Sequence, residues 1–162
     1  MRRVTRWLTE EEQATWRAFL RATRLLDDAL DQQLRRDHGM PHAYYQILAM
    51  LSEAPDRRLR MSHLSQLTWF SASRLSHAVA RLEREGLVRR ERDTRDRRVH
   101  HAELTDAGYE HLVAAAPGHV DTVVAHLFDR LDDEQVGQLH AIAERIVGDR
   151  DVTPWPGADD EA

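Results

Sequence analysis

The sequence contains no cysteine. That excludes disulfides, thiolate metal sites and cysteine-based redox sensing. It contains no lysine either, so every one of its 23 basic residues is arginine. Glycine is scarce, with seven residues, most of them where helices are expected to end. None belongs to a P-loop, a Gly-rich dinucleotide turn or a G-x-S-x-G nucleophile turn, and no H-E-x-x-H is present. No apolar run approaches the roughly 20 residues needed to span a bilayer. The start, "MRRVTRWLTEEEQ", has positive charge but no apolar segment after it, unlike a secretory signal. These absences predict a soluble, cytoplasmic protein that is not an enzyme and carries no cofactor.

What is present is a foldable core and an uneven charge. Hydrophobic residues make up 41% of 162, enough for one domain or two small units sharing a core. The net charge is −5, yet residues 57–101 hold twelve arginines against five acids, a net +7. The rest holds eleven arginines against 23 acids, a net −12. The densest positive run, "RERDTRDRRVHH" (90–101), lies between two strand-like stretches. A basic centre within acidic flanks points to a local anionic partner.

The periodicity predicts a long first helix from Thr9, which forms a capping box with Glu12, to a stop at Gly39 and Pro41. Its apolar stripe runs through Trp16, Phe19, Leu20, Leu26, Leu30 and Leu34. A second helix follows Pro41, then a very short strand in "DRRLRM". A short helix capped by Ser62 leads through "TWF" to a helix capped by Ser71 and stopped at Gly86. "LVRRER" and "RRVHHAEL" read as a hairpin. Thr105 opens a further helix, in which Pro117 predicts a kink or break. Asp132 opens the last helix, and the tail from Asp151 reads as disordered. The fold class is mostly α with a small β-hairpin, a winged helix-turn-helix with flanking helices. The boundaries are 1–40 for an N-terminal dimerisation helix and 41–104 for the winged unit. Residues 105–150 form the C-terminal dimerisation helices and 151–162 the tail.

In such a unit the second short helix must bury one face and offer the other to a groove of DNA. Leu75, Val79 and Leu82 share one face. Ser73, Arg74, His77, Arg81 and Arg84 share the other. The hydroxyls and Arg74 suit base edges, while Arg81 and Arg84 suit phosphate. At the hairpin tip, Arg95 can enter a narrow A·T minor groove, with Asp93 or Asp96 accepting from a neighbouring arginine to hold the loop. Double-stranded DNA is the partner this pattern predicts.

The segment "LSQLTWFSASRLSHAVARLEREGLVRRERDTRDRRVHHAELTDAG" resembles the core of the MarR-type regulators. The marker is the wing "DTRDRR" followed by "LTDAG", and the resemblance extends over about residues 9–148. It implies a homodimer whose first and last helices interlock, a palindromic operator, and repression as the commoner mode. Carried over by position, Ser71, Ser73, Arg74 and His77 face the major groove and Arg95 the minor groove. Asp93 supports the wing, and Arg81 and Arg97 complete the DNA-contacting set. Many relatives also bind a small aromatic or amphipathic effector, for which Trp16, His42, Tyr44 and Tyr45 are the candidate liners. Two departures stand out. The turn between the paired helices reads Thr68-Trp69 where leucine and glycine are frequent, and the first helix lacks the cysteine of the thiol-sensing members.

The composition also admits a protein-interaction module and a metal site. A winged helix can be a protein-interaction module without specific DNA readout, but such a module needs neither an arginine-tipped wing nor a Ser/Arg/His face. The ten histidines raise a metal site. However, His38 and His42 are separated by Gly39 and Pro41, and His100 and His101 alternate across a strand. No metal site is assigned.

Overall fold

The computed structural model describes residues 5–148. The expected disordered tail lies outside the described residues. Six helices and one small sheet follow in the order α1 (Glu10–His38), α2 (His42–Glu53), β1 (Arg58–Arg60), α3 (Met61–Thr68), α4 (Ala72–Arg84), β2 (Val88–Arg92), β3 (His100–Leu104), α5 (Asp106–His126) and α6 (Asp133–Val147). The strands lie in the order β1-β3-β2, all antiparallel. Leu59 faces Ala102 across β1–β3, and Arg90 faces Ala102 across β2–β3. The short "LRM" stretch thus contributes the third strand beside the wing.

The helix ends follow local chemistry. Thr9 accepts from the Glu12 N–H and the Glu12 carboxylate accepts from the Thr9 N–H, a complete capping box. Gly39 ends α1 in the left-handed conformation at φ 63°. Asp132 and Gln135 form a second capping box at α6. Two expectations are corrected. Ser62 does not cap α3. The helix begins one residue earlier, at Met61, with Arg60 in the cap position and no side-chain bond. Pro117 does not break α5, which runs unbroken to His126. Proline costs one backbone hydrogen bond, but α5 is packed along α1, and that packing outweighs it. The contact is close: a Cβ on Gly118 would lie 2.6 Å from Gln33 Nε2.

The core gathers Leu34, Ile47, Leu48, Leu51, Leu64, Leu75, Val79, Leu82, Val88 and Ala102, all almost fully buried. It joins the end of α1, α2, the paired helices α3 and α4, and the sheet. The rest of the α1 stripe is different. Trp16, Phe19 and Leu20 are exposed, as are Val120, Val124, Leu139, Ile142 and Ile146 on α5 and α6. Helix α6 buries no residue. A helix with an apolar face and nothing under it lacks the packing that normally stabilises helices.

The junction between wing and α5 is tightly specified. The Thr105 hydroxyl donates to the Gly86 carbonyl at 2.7 Å and accepts the Gly108 N–H at 3.0 Å. The Thr105 N–H donates to the Leu87 carbonyl at 3.1 Å. Gly108 is buried against that same carbonyl. A Cβ there would fall 2.0 Å from Leu87 O and 2.7 Å from Leu104 Cδ1. The threonine and glycine of "LTDAG" are therefore a joint between the end of α4, the sheet and α5. Gly108→Ala is expected to lower stability by about 1–3 kcal/mol, since backbone must move to admit the methyl group. Thermal unfolding checks this, and an unchanged midpoint would contradict the close fit.

Candidate nucleic-acid interface

Helix α4 presents the face that its sequence pattern predicts. Ser71 caps it, accepting the Arg74 N–H at 3.2 Å. Leu75, Ala78, Val79 and Leu82 are buried, and Ser73, Arg74, His77 and Arg81 are exposed. Phe70, a residue the sequence reading passed over, lies beneath Arg74, with the guanidinium carbon 4.1 Å from the ring centroid. This cation–π contact positions Arg74 without consuming its hydrogen-bond donors in a salt bridge. Arg81 pairs with Glu85 one turn on.

The wing is held by carboxylates, as expected, with Asp96 accepting from a neighbouring guanidinium and Asp93 from backbone amides. Asp93 accepts no guanidinium. Its Oδ1 takes the backbone N–H of Arg95 at 2.8 Å and of Asp96 at 3.1 Å. Those bonds hold its carboxyl below the usual range, the Arg95 amide contributing most. The Asp93 N–H donates to the Val99 carbonyl and the Val99 N–H to the Asp96 carbonyl, both at 2.9 Å. Asp96 takes both the N–H and the guanidinium of Arg98, at 3.0 to 3.2 Å. Aspartate bonding to nearby backbone amides is a local turn lock.

The twelve arginines of residues 57–101 then divide by partner. Arg57, Arg58, Arg81, Arg89, Arg90 and Arg98 lie within ion-pair distance of carboxylates. One of these pairs, Arg90 with Glu83 at 2.9 Å, ties β2 to α4 and so fixes the wing relative to the helix. Arg60, Arg74, Arg84, Arg92, Arg95 and Arg97 make no ion pair among the described residues, and all six are exposed. Arg95 and Arg97 stand at the wing tip and Arg74 near the start of α4. Three of the six unpaired guanidinium groups thus stand at the two ends of the surface formed by α4 and the wing, and the other three lie on β1, late in α4 and at the end of β2.

Beside Arg74 lies a cavity of about 720 Å³ between α1, the start of α2, and α4. His42 and Tyr44 line it, together with Arg74 and His77 and the acidic Asp27 and Asp31 of α1. Trp16 does not line it and sits on the exposed half of α1. Tyr45 is buried and faces α5, where its ring stacks on His119 with centroids 4.2 Å apart. His42 also approaches His119, at 5.5 Å, and its Nδ1 lies 3.0 Å from Asp27. Burial first, and the nearby His42 second, push the His119 pKa down to about 4. Among the described residues no group of three or more histidine or carboxylate side chains could hold a metal ion, and no helix is long and apolar enough to cross a membrane.

A three-stranded sheet beside paired short helices, with a hairpin wing and a capped amphipathic second helix, defines a winged helix-turn-helix protein. The profile described as "MarR family" matches residues 38–99. Sco3205 of Streptomyces coelicolor, a MarR family transcriptional regulator whose crystal structure is in complex with DNA, is 55% identical. The match covers 89% of each chain at a TM-score of 0.84. AbsC of the same organism, also a MarR family transcriptional regulator, is 42% identical over 88% of this chain and 96% of its own, at a TM-score of 0.82. The HTH-type transcriptional repressor YetL of Bacillus subtilis (strain 168) is 29% identical over 67% of this chain and 66% of its own length. The chain belongs to the MarR family. It is a winged-helix transcriptional regulator and not an enzyme.

Asp93→Ala removes the acceptor for two wing amides, and exchange of the Arg95 and Asp96 amide protons should accelerate several-fold, while Asp93→Asn keeps an acceptor oxygen and changes less. Unchanged exchange in the alanine variant would show that Asp93 does not lock the tip. For His119, the folded pKa of about 4 lies below the ordinary 6.5. The unfolded chain therefore binds the extra proton between those values, and stability falls as pH drops from 6.5 to 4. His119→Gln should flatten that part of the melting-temperature profile; identical profiles for the two proteins would contradict a neutral, buried His119.

Proposed function

We propose that the protein is a homodimeric repressor that reads a palindromic duplex operator and releases it when a small effector binds. The observation that carries the DNA reading is the distribution of free guanidinium groups. Arg74 is raised on Phe70 near the N-terminus of α4, where base edges are met, and Arg95 and Arg97 project from a wing locked by Asp93 and Asp96. Ser71, Ser73, His77 and Arg81 complete the groove-facing set. An arginine held at a wing tip suits the enhanced negative potential of an A·T-rich minor groove. The DNA-bound Sco3205 supports the same reading.

The second chain is inferred from the uncovered apolar faces of α1, α5 and α6. A cavity of about 750 Å³ lies among them, lined by Phe19, Leu25, Leu26, Leu127 and Leu139. Faces of this kind on the terminal helices would be covered by the same faces of a copy related by a two-fold axis. A two-fold protein carries two α4 helices and fits half-sites about one helical turn apart.

The effector reading rests on the cavity beside Arg74. A small aromatic or amphipathic molecule held there by His42 and Tyr44 would touch α1 and the DNA-reading helix together. An effector that binds the DNA-free arrangement more tightly than the DNA-bound one lowers DNA affinity by linkage.

Selection of duplexes from a random pool at fixed salt tests the DNA reading. A palindrome should emerge, and Arg95→Ala should bind it about tenfold more weakly, with the loss greatest at A·T-rich flanks. Weak, salt-sensitive binding without sequence preference would instead favour a protein-interaction module. Sedimentation should give about twice the 18.8 kDa chain mass; a monomer at micromolar concentration would contradict the two-fold arrangement.

A further inference from the structure

The winged unit exposes one large hydrophobic side chain among the described residues, and that is Trp69, 78% accessible. Every other exposed large apolar residue among the described residues lies at or before Leu25, or at or after Tyr109, outside the winged unit. Trp69 is separate from them. It ends α3, two residues ahead of the Ser71 cap of α4, in the turn of the paired helices.

Its backbone is left-handed, at φ 56°. A bulky side chain seldom adopts that conformation, and glycine would take it without strain. The turn is held there from several sides. The Trp69 N–H donates to the Gln66 carbonyl at 3.3 Å, the Ser65 hydroxyl to the Phe70 carbonyl at 2.6 Å, and the Thr68 hydroxyl to the Leu64 carbonyl at 2.8 Å. Phe70 points inward under Arg74, and its neighbour Trp69 points to solvent. A tryptophan held in a strained position with its ring in water contributes nothing to the core. Strain of this kind is a sign of function.

We infer that Trp69 is a DNA-contacting residue that packs its indole on the sugar–phosphate backbone at the edge of the groove entered by α4. This inference rests on the DNA-binding reading. The ring supplies a rigid apolar surface for deoxyribose, and Nε1–H, which can only donate, suits a phosphate oxygen. The contact fixes the entry angle of the helix that carries Ser73, Arg74 and His77. It carries no base information itself, so it acts alike on every sequence.

The test uses full-length protein and the duplex that the wild type selects from a random pool. Trp69→Gly removes the ring and relieves the backbone. It is expected to melt at or above the wild-type temperature, yet to bind the selected duplex and a scrambled duplex weaker by a similar factor, on the order of tenfold. Trp69→Phe keeps the ring and loses the donor, and should fall between. Trp69→Asn, which also tolerates the left-handed turn, should match the glycine variant and guards against a folding defect in any one protein. Wild-type affinity in the glycine and asparagine variants would overturn the inference while leaving the regulator reading intact. A loss confined to the selected sequence would overturn the backbone assignment in favour of a base contact. If the wild type itself selects no duplex, the regulator reading falls first and this inference with it.

Discussion

The Thr105 hydroxyl sits at the crossing point of the structure. It donates to the Gly86 carbonyl just past the end of α4 and accepts the amide of Gly108 in the first turn of α5. One side chain thus joins the reading helix, the end of the wing strand β3 and the long helix that reaches toward the apolar faces. Gly108 permits that contact because anything larger would meet the Leu87 carbonyl. The position of α4 relative to the wing, and of both relative to α5, depends on this joint. The part-buried Arg90–Glu83 pair adds a second tie between wing and helix.

Charge is organised around the same frame. The chain as a whole is acidic, yet its central segment is basic. Half of the arginines there are paired with carboxylates, and three of those pairs, at Arg58, Arg89 and Arg90, fasten strand to strand or strand to helix. The acids within the wing bind backbone amides and Arg98, leaving Arg95 and Arg97 uncommitted. The acidic residues of this loop are therefore structural: they shape the tip that positions Arg95 and Arg97. The acidic flanks discourage adhesion to polyanions elsewhere on the surface.

Much of this was legible in the sequence because the signals are local. The capping boxes at Thr9 and Asp132, the Ser71 cap, the Gly39 stop and the buried face of α4 are each read from a few neighbouring residues. What was not legible depends on contacts far apart in the chain. Pro117 looks like a break until α5 is seen lying against α1. Ser62 looks like a cap, but strand pairing of β1 starts α3 one residue earlier. The Thr68-Trp69 turn lacks glycine, and Trp69 takes the left-handed conformation itself. Asp93 and Asp96 both hold the wing, but which of them takes a guanidinium and which takes backbone amides is set by the turn itself. Of the proposed effector liners, His42 and Tyr44 meet at one cavity. Trp16 and Tyr45 face elsewhere, since helical spacing alone does not say which apolar face meets which neighbour.

The central claim is that α4 and the arginine-tipped wing form one rigid reading surface, present twice in a two-fold assembly. Hydroxyl-radical footprinting of the selected duplex tests it most directly. The account predicts two symmetric blocks of protection about one helical turn apart, each flanked by protection of the adjacent minor groove where the wing enters. A single asymmetric block, or protection of the major groove with the flanking minor grooves left open, would contradict it.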